Sequence, residues 1–400
     1  MRKPLASLWD EWVGRHITSS MSKNRFEVDV VTHDPGGWSM GHSPLAQQWC
    51  RAANGWDGAS FANDPRWISV VQEQLAPEGA ELVVVRQDDD FVAAIPLIRA
   101  KEWDGVLARD VRGMPMGAPL DLTDVAIAPG YRTAIVLDTA LRRVQADSEF
   151  DLLCFERVRR RSHLLEALPD SGFSSGLSDA GSSAFCDVTS RESLTALSKE
   201  QLRNVDRLRR RAEKEHGDVV VRSETGPGVH AEPFEQFLVV ESAGWKGLEG
   251  TGTALALDLR SQSFLHAVLA RFGAEDRARI DFLEIGGQLA AAQLGVRIGA
   301  TWHLLKIGFD PAFRAIGPGA ILLRAFLDDM CDDPGIREVN FTTNPRWADR
   351  WHFQTEPCYR VQIFGNTWRG RALAAERLGR TLAKSLRQYL PEERPTPTAP

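Results

Sequence analysis

An arginine and two glycines precede a predicted helix in the second half of the chain. Residues 309–326 read FDPAFRAIGPGAILLRAF, so Arg314, Gly317 and Gly319 lie directly before a run of helix-favouring residues. Glycines let an anion approach the backbone N–H groups that a first helical turn leaves unpaired, where the helix dipole is also positive. Arg314 would add a charge-assisted contact, and the fixed φ of Pro318 suits a first turn. The segment therefore predicts a site for a phosphate or pyrophosphate group.

The residues on either side of this loop strengthen that interpretation. Residues 301–310, TWHLLKIGFD, predict a strand and residues 320–329 predict a helix, so the glycines occupy a strand–loop–helix connection. No Lys-Ser/Thr pair follows the glycines, as a Walker loop requires, and the spacing is not that of the Rossmann fingerprint. A plain turn before a helix is the remaining alternative.

The elements around the loop repeat an arrangement found earlier in the chain. Residues 81–99 predict a strand, an acidic turn and a strand, and residues 280–298 predict a strand, a Gly-Gly turn and a strand. In each half a helix precedes the hairpin and another strand follows later. The shared order predicts a tandem duplication of one α/β unit. The matching helices are 64–75 and 261–272, and the matching later strands are 150–155 and 337–343.

A basic helix is predicted at the start of the second half. After a linker near 186–195, residues 198–217 read SKEQLRNVDRLRRRAEKEHG and predict a helix that ends at Gly217. Its cations either form a solvated face, balanced by acidic residues of the same helix, or dock an anionic substrate or nucleotide. They are Lys199, Arg203, Arg207, Arg209, Arg210, Arg211 and Lys214.

These motifs resemble one branch of the GNAT acetyltransferase superfamily. The loop resembles its acyl-CoA pyrophosphate loop, with Arg314, Ile316, Gly317, Gly319 and Ala320 as the expected cofactor-binding residues. Four segments resemble the acetyltransferases of cellulose and exopolysaccharide biosynthesis, which are similar to the Fem-type ligases in carrying two GNAT-like units. They are LRNVDRLRRRAEK (202–214), ESAGWKGLEGTGTAL (241–255), KIGFDPAFRAIGPGAILL (306–323) and NPRWADRWHF (344–353).

The resemblance implies an α/β (α+β) fold of two GNAT-like units, each a mixed, mostly antiparallel sheet flanked by helices. Residues 112–122 lack an arginine-glycine loop that leads into a helix, so only the second unit is expected to bind acyl-CoA. The expected organisation is an N-terminal amphipathic helix and loop (1–45), a degenerate unit (46–190), a catalytic unit (191–366), a basic amphipathic helix (367–390) and a disordered tail (391–400).

Direct attack of an amine or hydroxyl on the thioester, as the resemblance implies, needs a proton acceptor. Pantetheine is expected between splayed strands 301–310 and 337–343. His303, which titrates near neutral pH, is one candidate for the base, and Glu241 and Glu284 are the others. Lys306 is a further catalytic candidate, although it could instead pair with Asp310 and fix the end of the strand. Regular alternation would place His303 and Lys306 on opposite faces of that strand.

The acceptor is expected near the segment that follows Glu241. Trp245 would stack on a sugar ring or an apolar acceptor, or anchor the core, and Lys246 would meet a carboxylate or phosphate. Asp310 and Asn344 are the other candidate substrate contacts. Trp347, Asp349 and Arg350 follow the last strand and could border the same cleft.

The totals limit the classes of function. A net charge of −6 argues against a dedicated nucleic-acid binder, and five cysteines without a C-x-x-C pair favour a reducing cytoplasm, with no metal site or thiol catalysis expected. We find neither a signal peptide nor a run long enough to span a membrane. The leucines of residues 367–390 would pack that helix on the domain, or its basic face would bind an anionic membrane or a protein.

The sequence predicts an enzyme that transfers an acyl group, acetyl being the expected one, from acyl-CoA to an amine or hydroxyl of a small-molecule or saccharide acceptor. A Fem-type ligase that uses aminoacyl-tRNA is one alternative, and the basic helix at 198–214 fits it. A non-catalytic scaffold in polysaccharide assembly is the other alternative. DNA is not expected as a partner.

Overall fold

The computed structural model describes the chain from residue 26 to residue 387, with gaps. The described residues are 26–32, 44–55, 60–61, 64–74, 80–104, 107–113, 122–147, 149–244, 252 and 254–387, without the side chains of 72, 102–109, 112–113 and 381–387. The predicted N-terminal helix and proline-rich tail lie outside these residues.

The described strands form one large mixed sheet with helices packed against it. The strands are β1 (Glu27–Thr32), β2 (Ala80–Gln87), β3 (Asp90–Asp104), β4 (Leu107–Gly113), β5 (Ala126–Ile127), β6 (Leu152–Arg159), β7 (Ser175–Asp187), β8 (Val219–Thr225), β9 (Ala278–Ile285), β10 (Gln288–Ile298), β11 (Thr301–Phe309), β12 (Glu338–Asn340) and β13 (Gln354–Phe364). The helices are α1 (Pro44–Ala53), α2 (Pro65–Gln74), α3 (Thr133–Asp147), α4 (His163–Ala167), α5 (Lys199–His216), α6 (Glu232–Ala243), α7 (Leu259–Gly273), α8 (Pro318–Asp332) and α9 (Trp368–Arg387).

The two halves of the sheet contain equivalent strands in the same order when each is followed from its outer edge to the centre. The strand order is β1-β2-β3-β4-β6-β13-β7-β12-β11-β10-β9-β8, with β5 paired to β3. Each half has an antiparallel hairpin, β2–β3 or β9–β10, and then a parallel pair, β4–β6 or β11–β12. This repeated order confirms the predicted mixed α/β fold with two similar units.

The two units exchange their last strands. Strand β7 of the first half pairs with β12 of the second, whereas β13 of the second half pairs with β6 of the first. The boundary predicted near residue 190 therefore separates segments that share one sheet. The units also share a core, in which Trp67 of α2 packs edge-on against Phe264 of α7 with ring centroids 5.2 Å apart.

A bulge breaks the regular alternation expected along β11. The pairing with β10 shifts because Leu294 lies opposite Lys306 and Gly295 opposite Leu304, which leaves Leu305 as the extra residue. Side chains beyond the bulge consequently change face. Phe309 packs in the same core as Trp302 and Leu304, although regular alternation along the strand would place it on the opposite face. The predicted alternation along residues 301–310 is therefore wrong past Leu304.

The C-terminal helix α9 buries only part of its leucine stripe. Leu373 packs beside Phe364 on the sheet, whereas Leu378 is 61% exposed. Arg377 anchors the helix by donating to the carbonyl oxygen of Leu177. Within the described part of the chain, no helix is long and apolar enough to cross a membrane.

Candidate functional site

The predicted glycine loop forms one wall of a cleft at the carboxyl end of β11. The cleft has a volume of about 310 Å³. Strand β11, the end of α6, the start of α8 and the segment after β12 meet around it. Its lining residues are Gln201, Glu241, Gly244, Ile307, Gly308, Phe309, Arg314, Gly317, Pro318, Gly319, Ala320, Leu323, Trp347, Arg350 and Trp351.

A short helical turn carries the chain from β11 to α8. The carboxylate of Asp310 accepts a hydrogen bond from the Ala312 backbone N–H at 2.8 Å and caps the 3₁₀ turn Pro311–Ile316. Gly317 then takes a left-handed conformation with φ 64° and ψ 50°, and Pro318 opens α8. A Cβ at Gly317 would also lie 3.1 Å from Leu208 of α5. Backbone geometry and close packing together explain the glycine at this position.

Gly319 has a different reason to be glycine. It lies in the first turn of α8 without a positive φ, and a Cβ there would meet only Ile307 Cδ1 at 3.7 Å, an ordinary contact. Glycine costs up to about 1 kcal/mol relative to alanine within a helix. The described protein neighbours do not require that cost, and Gly319 lines the cleft, so its missing Cβ leaves the start of α8 open to the cleft.

The other predicted cofactor-binding residues divide between the cleft and the core. Arg314 is exposed at the cleft, and its side chain makes no hydrogen bond or ion pair with the described residues. Ala320 also lines the cleft. Ile316 is buried in the core of the second unit instead, where it holds the turn in place and is not among the lining residues.

The parallel strands β11 and β12 separate beside this loop. They pair only from Thr301 opposite Glu338 to His303 opposite Asn340. The chain then turns away through Thr342, which has a φ of 57°, and the Thr342 N–H donates to the side-chain oxygen of Asn340 at 2.7 Å. Beyond His303, β10 is the one described strand that pairs with β11. The predicted strands therefore lie side by side and diverge toward the cleft.

Glu241 is the candidate base that reaches the cleft. It lies near the end of α6, is 1% exposed, and its Oε2 accepts a hydrogen bond from the Leu255 N–H at 2.8 Å. Helix α6 approaches β11 so closely that a Cβ at Gly308 would lie 2.6 Å from the Cα of Glu241. The glycine in β11 therefore lets the helix bring this carboxylate to the strand that borders the cleft.

His303 lies away from the cleft. Its imidazole is buried, packs 4.4 Å from the Phe61 ring and borders a second cavity of about 350 Å³ between the two units. Burial, with a smaller contribution from Arg159, lowers the pKa of His303 to about 3. Both ring nitrogens lack a hydrogen-bond partner among the described residues. The imidazole is therefore neutral at pH 7 and weakly basic.

The remaining predicted residues are spread over the second unit. Glu284 forms an ion pair with Arg222 at 2.7 Å on the outer strands and does not line the cleft. Lys306 is half-buried on β11, and Asp310 caps the turn described above and is not among the lining residues of the cleft. Asn344 is exposed and is not among the lining residues of the cleft. Trp245 and Lys246 lie outside the described residues.

Two tryptophans and an arginine of the segment after β12 also line the cleft. Trp347 and Arg350, which follow β12 as expected, line it, whereas Asp349 does not. Trp351 and Gln201 also line it, although the sequence analysis assigned them no role. Trp351 stacks on Phe353 with ring planes 3° apart. The tryptophan-rich segment NPRWADRWHF could have indicated Trp351, but nothing in the basic helix singled out Gln201.

The cysteines and acidic groups give no sign of thiol or metal chemistry in the described residues. None of the five cysteines lines the cleft, and burial raises the pKa of Cys186 to about 12 and those of Cys50 and Cys331 to about 11. The described residues hold no group of three or more His, Cys, Asp or Glu side chains placed to bind a metal ion.

Comparison with known proteins agrees with this geometry. Residues 199–351 match the family model of the acetyltransferase (GNAT) domain, so the second half of the chain carries a GNAT-type acyltransferase domain. The match includes the basic helix, the glycine loop and the segment that closes the cleft. None of the curated proteins matches the sequence.

Solved structures share the fold over most of the chain. The chain is similar to FemX (TM-score 0.54, 10% identity, 83% of this chain and 96% of that chain). It is similar to a conserved protein of unknown function from Bacteroides thetaiotaomicron (TM-score 0.51, 13% identity, 80% and 95%). It is also similar to the C-terminal domain of a candidate lysylphosphatidylglycerol synthetase from Agrobacterium fabrum (TM-score 0.50, 11% identity, 82% and 93%). At these identities the likeness concerns the fold alone.

Proposed function

We propose that the protein transfers an acyl group, acetyl in the simplest case, from acyl-CoA to an amine or hydroxyl of a small-molecule or saccharide acceptor. The observation that carries the proposal is the loop in front of α8, where the missing Cβ of Gly319 opens the first helical turn to the cleft. The family match to residues 199–351 supports the same reaction class. The proposed location of the reaction is the cytoplasm, because five cysteines without a C-x-x-C pair favour a reducing compartment.

The residues around the loop would bind the pyrophosphate of acyl-CoA. The Gly319 N–H, which has no backbone acceptor among the described residues whereas those of Gly317 and Ala320 do, would donate to it, and Arg314 would supply the opposing charge. Acyl-CoA contributes the activated thioester. Ile307, Phe309 and Trp347 give the cleft apolar walls, and the lower local polarity would strengthen these electrostatic contacts.

Glu241 acts as the proton acceptor in this proposal. It is the member of the predicted set of bases that lines the cleft, and the Leu255 N–H fixes one of its carboxylate oxygens. The Glu241 carboxylate would take the proton from the attacking amine or hydroxyl, directly or through one water molecule. His303 is neutral but lies in the other cavity, and Glu284 is occupied by Arg222.

The test combines donor binding with turnover. Millimolar acetyl-CoA should raise the melting temperature, because a ligand that binds only the native state stabilises it. With an acceptor found from a panel of amines and sugars, Glu241→Gln should lower kcat by roughly 10²–10⁴ and leave CoA affinity unchanged. His303→Leu and Glu284→Gln serve as comparisons. Full activity in Glu241→Gln, or failure of CoA to bind, would refute the corresponding part of the proposal.

A Fem-type ligase that uses aminoacyl-tRNA is the second candidate. The observation that favours it is the strongly basic and exposed α5, which borders the cleft through Gln201. A protein of that class should bind tRNA with an affinity that falls steeply as salt rises. If the protein does not bind tRNA in this way and CoA stabilises it, the Fem-type candidate is rejected and the acyl-CoA reaction is the one that remains.

A further inference from the structure

A second groove continues from the cleft along the first two turns of α5. It has a volume of about 640 Å³ and shares Gln201 and Arg350 with the cleft. One side is α5, and the other is the turn after β12 that ends at His352. The lining residues are Ser198, Glu200, Gln201, Arg203, Asn204, Arg207, Arg350 and His352.

The groove gathers positive charge that the described protein does not neutralise. Arg203 and Arg207 are one helical turn apart on α5, and Arg350 lines the groove from the segment after β12. Arg203 and Arg350 make no hydrogen bond or ion pair with their side chains to the described residues, and Arg207 donates only to the Asn204 amide oxygen at 2.8 Å. Glu200 is the one carboxylate among the lining residues. Arg203 and Arg207 are like charges four residues apart, and their repulsion destabilises the helix. An anion bound between the two side chains would reduce that repulsion.

Two other arginines of α5 have a different environment. Arg209 pairs with Glu213 at 3.3 Å and Arg211 with Glu215 at 2.9 Å, each four residues further along the helix. These pairs are exposed and lie outside the groove. The basic helix thus combines a solvated, internally paired set of arginines with a set that faces the groove without acidic partners.

We propose that this groove binds a phosphate monoester, namely the 3′-phosphate of the CoA nucleotide. The inference rests on the proposed function, because the same ligand would place its pyrophosphate at the glycine loop. Helix α5 connects the two places: Leu208 lies against Gly317, and Gln201, about two turns earlier, lines both the cleft and the groove. Arg203, Arg207 and Arg350 would hold the phosphate by charge-assisted hydrogen bonds.

Calorimetric titration with CoA and with 3′-dephospho-CoA tests this assignment. Wild-type protein should bind CoA about ten- to a hundredfold more tightly, the range for a hydrogen-bonded contact to a charged group. In the double variant Arg203→Ala/Arg207→Ala, and separately in Arg350→Ala, that ratio should fall toward one. The matched control is Arg209→Ala/Arg211→Ala on the same helix, which removes the same charge and should keep the wild-type ratio.

The outcomes separate this inference from the proposed function. Equal affinities of wild-type protein for both nucleotides would overturn the 3′-phosphate assignment while acyl-CoA binding stands. An equal effect of the control variant would show that only net charge matters. Binding of neither nucleotide would overturn both proposals. Salt-sensitive tRNA binding that the groove variants weaken, with no preference for CoA, would assign the groove to nucleic-acid phosphates instead.

Discussion

The two loop glycines should respond in opposite ways to replacement by alanine. At Gly317 the backbone φ of 64° is unfavourable for any residue with a Cβ, at a cost of roughly 1–2 kcal/mol, and the new methyl would press on Leu208 at 3.1 Å. At Gly319 the new methyl would rest 3.7 Å from Ile307, and the gain in helix propensity is about 0.5–1 kcal/mol. Gly317→Ala should therefore lower the melting temperature, and Gly319→Ala should raise it.

Both variants should nevertheless lose CoA affinity, by about tenfold or more. In Gly319→Ala the methyl occupies the space through which the anion reaches the helix N–H groups, and in Gly317→Ala the loop itself is displaced. Calorimetric titration with CoA and a thermal melt of the free protein measure the two effects separately. Gly379→Ala is the control, because Gly379 lies within α9 with no heavy atom within 4 Å of its Cβ position among the described residues.

The result that refutes this reasoning is specific. If Gly319→Ala is more stable and still binds CoA as tightly as wild type, the open Cβ position has nothing to do with a ligand. If Gly319→Ala is destabilised, the packing around the start of α8 differs from that described. A gain of stability in Gly379→Ala with unchanged CoA affinity would show that added helix propensity alone does not weaken binding.

Two further substitutions test the surroundings of the cleft. In the folded state His303 stays neutral down to its pKa of about 3, whereas in the unfolded chain it is protonated near pH 6.5. The neutral imidazole therefore contributes stability above pH 6.5. As pH falls from 6.5 toward 3, that contribution to the free energy of unfolding is lost at about 1.4 kcal/mol per pH unit. His303→Leu should flatten that slope in chemical denaturation between pH 4 and 6.5, and parallel curves for wild type and His303→Leu would contradict the prediction. Gly308→Ala should destabilise the protein by about 1–3 kcal/mol, because its methyl would lie 2.6 Å from the Cα of Glu241. Gly228→Ala, with open space around its Cβ position, is the comparison, and equal melting temperatures for the two variants would disprove the close packing of α6 on β11.

Local patterns in the sequence were sufficient to predict much of the fold. The Gly-Gly turn, the capped basic helix and the loop before α8 each depend on residues close together in the chain, and they lie where they were expected. The bulge at Leu305 could not be predicted in this way, because it arises from pairing with β10 and not from the residues of β11. The assignment of faces along β11 failed for that reason.

The choice among the candidate bases likewise depends on contacts between distant segments and not on local sequence patterns. His303, Glu241 and Glu284 are equally plausible as residue types, and the sequence left all three open. Their separation depends on contacts that are distant in sequence: Phe61 against His303, Gly308 against Glu241, and Arg222 against Glu284. Packing between elements therefore decides which carboxylate or imidazole reaches the cleft. Patterns in a single sequence do not predict that packing.

The strand exchange explains why a half without the glycine loop matters to the site. Strand β12 contributes only three residues, and its edge away from β11 is paired to β7 of the first half, with Asn340 opposite Phe185. Ser183 of β7 donates to the Asn340 side chain at 3.0 Å, and the same amide oxygen accepts the N–H of Thr342, where the chain turns away from β11. The point at which β11 and β12 diverge is thus fixed by a strand of the first unit. Since the cleft opens from that point, the first half positions the site although its own loop residues lack the arginine-glycine pattern.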